Sequence, residues 1–290
     1  MNWKEYETVI YEEMSRRYPD VPITKDAKIW GRITKVKRQI DVLIEAQLLD
    51  SPIRIIVDAK HRSHPIDVND VESFISMMQD VDADRGILIS TKGYTDTAIR
   101  RAHNEPNQDI ELDVYSLADL KDYQGEFAIP YRDKFGVLLD APFGWVIDAY
   151  KRPSAAFLAC LYQRGFGIDD PVGAVEEWMY INFWAKKRPD QTLDDLIRIE
   201  ADEFKLRRPN AELSYLPGVN RTDAKTLIRL AKIPSTLTVE YTGFVEFNDF
   251  IFLAVLFTPP QMAKRNLRKL REILRTVKPW QVQYDKNVDY

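Results

Sequence analysis

The stretch RQIDVLIEAQLLDSPIRIIVDAKHR, residues 38–62, puts ionisable side chains where packing alone does not explain them. Two apolar, β-branched runs are interrupted by Asp41 near the start and by Asp58 and Lys60 at the end. Strands that face a core exclude lone charges, because burying one costs several kcal/mol or more. The runs read as a hairpin, strands 38–46 and 53–60 turning around Asp50-Ser51-Pro52. A turn centred between Leu49 and Asp50 makes the indices of facing residues sum to 99, so Asp41 falls opposite Asp58. Alternation sets Asp58 and Lys60 on one face, and cross-strand neighbours stand about 4.5–5.5 Å apart at Cβ. Two carboxylates that close repel unless a cation sits between them, and hard divalent ions such as Mg²⁺ prefer such oxygen-rich sites. A lysine beside the ion can orient or deprotonate an attacking water, and its charge can stabilise a developing phosphorane. A third carboxylate comes from the first helix. Glu7 lies on the stripe Trp3–Glu7–Ile10–Met14, with Glu12 and Glu13 as alternatives.

These residues need a scaffold, and the periodicity supplies one. Residues 3–17 read as a helix stopped by Pro19, and 27–36 as a strand ahead of the hairpin. DVNDVESFISMMQDV follows as a helix with Asn69 and Glu72 as a capping box. RGILIST is a short buried strand, Thr95 caps a helix, and DIELDVYSL is a last strand. The order is α-β-β-β-α-β-α-β, which predicts a mixed sheet flanked by helices. Prolines between Gly125 and Pro153 mark a boundary near residue 124, giving domains 1–123 and 124–290. The second domain is expected to be mainly helical α+β. Its helices fall over 154–165, 172–187, 192–206 and 222–232, its strands in TLTVEYTGFVEFNDFIFLAVLFT, and a basic helix, QMAKRNLRKLREILRTVK, closes it.

A helix glutamate, Asp41, then Asp58-Ala59-Lys60, in this element order, resembles the PD-(D/E)xK nuclease superfamily. Arg38-Gln39-Ile40-Asp41-Val42 and RGILISTKGYTDTAIRRA resemble its Mrr-like restriction endonuclease branch, over about residues 3–120. The resemblance implies a restriction-endonuclease-like core and a metal-dependent DNA endonuclease, type II/IV restriction-like, acting in defence against foreign DNA. It implies that Asp41, Asp58 and the Ala59 carbonyl hold Mg²⁺, with Mn²⁺ able to substitute. Lys60 acts on the water, Glu7 matches the helix glutamate, and Gln39 matches a neighbouring family position. The rival readings are a repair or junction-cleaving nuclease, and a non-catalytic DNA-binding or interaction protein on the same fold. The C-terminal domain then serves specificity, regulation or interaction.

Composition adds limits. Of 290 residues 45% are hydrophobic, enough for a sizeable core, and the net charge of −4 points neither to nor away from nucleic acid. Residues 1–123 carry 17 Lys+Arg against 23 Asp+Glu, so any DNA grip must come from local basic stretches. Arg32, Lys35, Lys37 and Arg38 lead into the expected site. In the C-terminal helix Arg268, Lys269 and Arg271 are the candidate phosphate contacts. His61 and His64 read as a solvated loop. Cys160 is the single cysteine, which excludes an internal disulfide and fits a reducing cytoplasm. No apolar run approaches the ~20 residues of a membrane span. Cutting both strands of a duplex takes two active sites, so a homodimer is expected on function.

Overall fold

The computed structural model describes residues 2–48, 51–121, 126–131, 135–149, 157–166, 177–234 and 236–281. The chain divides into two compact units, Met1–Tyr123 and Gln124–Tyr290. The hairpin turn at Leu49 and Asp50, the stretch 122–125 around the expected boundary, and residues 154–156 and 172–176 of two expected helices lie outside the described residues.

The first unit runs α1 (Trp3–Arg17), β1 (Ile23–Trp30), β2 (Lys37–Leu48), β3 (Ser51–Lys60), α2 (Val68–Asp80), β4 (Arg85–Ser90), α3 (Asp96–His103), β5 (Glu111–Ser116) and α4 (Leu117–Lys121). Its five strands form one mixed sheet in the order β1-β2-β3-β4-β5. β1, β2 and β3 pair antiparallel, whereas β3, β4 and β5 are parallel. Parallel neighbours need a crossover, and α2 and α3 provide the two. In the β2–β3 hairpin Leu48 faces Ser51 and Val42 faces Val57, so the indices of each facing pair sum to 99.

Local chemistry sets these elements. Asn2 caps α1 by accepting from the Glu5 N–H while the Glu5 side chain accepts from the Asn2 N–H. Asp67 and Asp70 make the same reciprocal box on α2, rather than Asn69 and Glu72, because Asp67 is the extended residue that precedes the first turn. Val71, Phe74, Ile75 and Met78 bury one face of α2 against the sheet. At Gly86 a Cβ would stand 2.4 Å from Met78 Sδ and 2.6 Å from the Phe74 ring, so only glycine lets α2 approach β4 this closely. The Tyr94 hydroxyl lies 2.6 Å from the Leu88 carbonyl and 3.0 Å from that of Tyr115, bolting β4 to β5.

The second unit is mainly β-structure, which corrects the expectation of a mainly helical domain. Its strands are β6 (Phe127–Pro130), β7 (Phe135–Leu139), β8 (Trp145–Asp148), β9 (Ala159–Gln163), β10 (Trp178–Ala185), β11 (Glu212–Pro217), β12 (Lys225–Lys232), β13 (Val239–Glu246), β14 (Phe250–Thr258) and β15 (Lys278–Gln281). They form a seven-stranded sheet, β11-β12-β13-β14-β10-β9-β8, and a three-stranded sheet, β15-β7-β6. The expected helices over 154–165, 172–187 and 222–232 are thus strands where described, namely β9, β10 and β12. In β10 the reason is visible. Met179, Ile181 and Phe183 are buried while Trp178, Tyr180, Asn182 and Trp184 are half-buried, a period of two built from residues that suit a pleated surface.

Two long helices remain, α5 (Leu193–Arg207) and α6 (Ala263–Thr276). Leu193 and Leu196 of α5 pack on Phe244, Ile251 and Leu253. Leu270, Ile273 and Leu274 of α6 join a cluster with Val245 and Phe252. Phe244 and Val245 are successive residues of β13, so the helices cover opposite faces of the large sheet. Among the described residues no helix is long and apolar enough to cross a membrane.

Candidate active site

The β2–β3 ladder ends at Val42 and Val57. One residue further, a side chain replaces the strand: Asp41 Oδ2 accepts from the Ala59 N–H at 2.8 Å. Beside it Asp58 is 9% exposed, and its Oδ2 lies 2.7 Å from Lys60 Nζ. Burial pushes the Asp41 carboxyl up to about 7. The Ala59 N–H opposes this, the charges of Asp58 and Glu7 add to it, and Lys60 draws it down.

α1 supplies the third acid from the edge of its buried face. That face is Tyr6, Ile10 and Met14, whereas Trp3 is 54% exposed, so the expected stripe is rotated by one position and Glu7 sits half-buried beside it. The Glu7 carboxyl is raised, first by burial, then by the charge of Asp26, with Asp58 adding to it and Lys25 opposing. Glu12 is exposed and Glu13 is paired with Arg16 and Arg17, so Glu7 is the helix acid that shares a field with Asp41.

One neighbour escaped the sequence reading. Asp26 has φ 51° and falls at the gap in the β1–β2 ladder between Lys25–Val42 and Ala27–Ile40, the register position opposite Asp41. Gln39 Nε2 donates to Asp26 Oδ1 at 3.4 Å, so Gln39 reaches the acids through Asp26. The signal was an aspartate inside the alternating strand ITKDAKIW. His61, the residue after Lys60, is exposed as expected of a solvated loop, and its ring lies 5.6 Å from that of buried Tyr6.

Among the described residues, no three His, Cys, Asp or Glu side chains stand together as a ready metal cage. Mg²⁺ does not require one, since it is usually held by one or two carboxylates and keeps several waters. The donors present suit such an ion. Asp41 carries a carboxyl raised by burial and by neighbouring acids, and a bound cation would relieve that repulsion. The N–H and C=O of one strand residue point to the same side. The Ala59 carbonyl therefore faces the gap that Asp41 bridges from the N–H side.

The expected basic contacts are placed differently. Residues 31–36 join β1 to β2, and the Asp80 carboxylate fastens this tip. It accepts from Ile33 N and Thr34 N at 2.9 Å each and from Thr34 Oγ1 at 2.6 Å. Arg32 Nε donates to the Gln79 carbonyl at 2.9 Å, and Arg38 Nε is 3.5 Å from Asp80. Asp80 ends α2, whereas Arg62, two residues past Lys60, pairs with Asp70 in its first turn at 2.7 Å. A 13-residue helix spans about 18–20 Å. So Arg32 and Arg38 are engaged at the far end of α2, although Arg38 stands only three residues from Asp41 on β2. Lys269 is also corrected: it is 5% exposed, and its Nζ donates to the Phe143 carbonyl at 2.6 Å. Arg265, one turn before it, is buried near Glu177, so α6 is enclosed on this side too; Arg268 and Arg271 are half-buried.

Residues 1–120 match the family model for the Mrr catalytic domain, described as a restriction endonuclease. No curated protein matches the chain. Among solved structures, a protein of unknown function, AF1548, is 15% identical over 43% of this chain and 68% of its own, at a TM-score of 0.32. Cyanobacterial PsbP (CyanoP) from Synechocystis sp. PCC 6803 is 13% identical over 53% and 91%, at 0.36. The DNA modification-dependent restriction endonuclease AspBHI is 13% identical over 41% of this chain and 36% of its own, at 0.24. Scores this low carry no argument about fold or function, and the assignment rests on the family match and on the sequence pattern it covers. The N-terminal 120 residues are an Mrr-like restriction endonuclease domain.

Proposed function

We propose that the chain is a metal-dependent DNA endonuclease that hydrolyses phosphodiester bonds in restriction of foreign DNA. The observation that supports this best is the Asp41 carboxylate, held on the Ala59 N–H beside the Asp58–Lys60 pair. On this reading Asp41, Asp58 and the Ala59 carbonyl hold Mg²⁺, or Mn²⁺ in its place. When bound, the ion would act as a Lewis acid on the phosphoryl oxygens and would make a water held on it easier to deprotonate.

The side chains do the rest. Lys60 stays against Asp58, where its ammonium orients the attacking water and faces the charge that develops on phosphorus-bound oxygens. Asp41 cannot swing away without giving up the Ala59 N–H, so its second oxygen is held in place. Glu7 takes a proton more readily than a free glutamate and closes the helix side of the acidic group. Arg268 and Arg271 are retained as candidate DNA contacts of the second unit, which serves specificity or regulation, and a homodimer would bring a second active site to the opposite strand.

Asp58→Ala and Lys60→Ala should each lower cleavage of plasmid DNA by roughly 10²–10³-fold or more, the scale for losing one preorganised charge. The circular-dichroism spectrum should be unchanged. Cleavage that persists in both purified variants, or that ignores a chelator, would sink the assignment.

A further inference from the structure

The distal half of the β1–β2 hairpin is a built ribbon whose outer side the catalytic reading does not use. Ala27, Ile29 and Ile40 pack its inner side into the core with α2. Alternation turns Lys28, Trp30 and Lys37 outward, and all three are exposed. Residues 28–38 hold five Lys and Arg and no acid, although residues 1–123 as a whole are acidic by six charges, 17 against 23. Arg32 and Arg38 are spent on the α2 end, but Lys28, Lys35 and Lys37 have no ion-pair partner among the described residues. Apolar groups stand among them in the open: Trp30 is 59% exposed, Ile33 63% and Val36 52%. Exposed apolar and cationic groups on the outer side of one fastened ribbon suit a partner that is both anionic and apolar.

We infer that this ribbon, residues 28–37, is a duplex-DNA contact element that enters a groove, with Lys28, Lys35 and Lys37 on the flanking phosphates and Trp30, Ile33 and Val36 against sugars and base edges. The inference rests on the endonuclease reading for its substrate. The fit is geometric and electrostatic. A two-stranded β-ribbon is about the size that the ~12 Å major groove admits. Each neutralised phosphate releases counterions, so unpaired lysines favour binding to a polyanion. Apolar side chains can meet thymine methyls at the groove floor. Because the tip hangs from Asp80 and not from the acids of the site, the element can grip DNA without disturbing the metal ligands.

The test measures affinity for a labelled 30-base-pair duplex as a function of salt, using the full-length protein in an Asp58→Ala background that does not cut. Changing Lys28, Lys35 and Lys37 together to Gln should flatten the slope of log K against log salt by about 2.7, at about 0.9 per phosphate. Between about 50 and 200 mM salt the parent should therefore lose about 40-fold more affinity than the triple variant. Trp30→Ala should weaken binding without changing the slope, and Arg in place of Gln at positions 28, 35 and 37 should restore the parent's slope. A triple variant that binds with the parent's affinity and slope overturns the inference. So does a sedimentation shift from dimer to monomer in Ile33→Ser/Val36→Ser with DNA affinity unchanged, which would make the tip a self-association surface. Cleavage by the unmodified chain is scored separately, so a failed contact element and a failed endonuclease reading give different results.

Discussion

Lys60 and Arg229 are both cations set among acids, one in each unit, and their surroundings differ in what the acids can still do. Arg229 is 4% exposed. Its Nη2 donates to Glu240 at 2.8 Å and to Thr242 at 2.9 Å, its Nη1 to Glu200 at 3.2 Å, and the Phe204 ring lies 4.9 Å from its centre. Here a single guanidinium joins both carboxylates to strand and helix. Among the described residues Lys60 pairs directly with Asp58, while Asp41, under the charges of Asp58 and Glu7, accepts one backbone N–H and feels Lys60 only as a more distant charge. The first cluster has its cation built in and fixes α5 to the sheet. The second is short of positive charge, which is the state expected of a site that waits for a metal ion.

That contrast can be broken in three ways. The largest effect is expected from Arg229→Ala, which leaves buried Glu240 and half-buried Glu200 without their cation and should cost roughly 3–5 kcal/mol. Lys60→Ala should cost less than about 1 kcal/mol, since it removes a partly solvated partner. Urea unfolding of both variants decides, and equal costs would erase the distinction.

The next effect is smaller. Mg²⁺ should raise the unfolding temperature, by about 1.4 kcal/mol of added stability at ten times its dissociation constant. Asp41→Asn/Asp58→Asn should lose that response while Arg229 variants keep it. An equal shift in every variant places the ion elsewhere.

The smallest effect is a pH dependence. Folded Asp41 keeps a proton up to about pH 7, whereas an unfolded aspartate releases it near 3.9. Between those values the folded state binds more protons, so the metal-free protein loses stability as pH rises. Asp41→Asn removes that loss. It should be more stable than the parent at pH 8 without metal, on the order of 1 kcal/mol after solvent screening, and nearly equal to it below pH 4. A variant less stable at pH 8 would mean that the carboxylate is already compensated.

The first unit was legible because its signals are local. The hairpin register followed from the turn position and the alternation, and the acids followed from charges interrupting apolar strands. Asp26 was missed because its part depends on a left-handed residue and a skipped rung, neither of which a sequence displays. The second unit was misread for a different reason. WMYINFWA and TLIRLAK satisfy a helical count of apolar residues as well as a period of two, and pairing with β14 and β13 decided between them. Lys269 of α6 was misread for lack of context, because the number of sides on which a helix is enclosed is a property of its neighbours. The Lys269 charge reads as surface, and its ammonium is capped by the Phe143 carbonyl.

Asp80 has a mechanical consequence. A hairpin that leaves a sheet is ordinarily a cantilever, free at its tip and able to bend onto whatever it meets. Here the root is clamped by the strands and the tip by four bonds or ion contacts to one carboxylate, so the ribbon is a beam supported at both ends. Such a beam meets a ligand in a shape it already has. Little conformational freedom is then lost on contact, the complex forms by docking and not by closure, and a groove of the wrong width is rejected for want of any way to adjust.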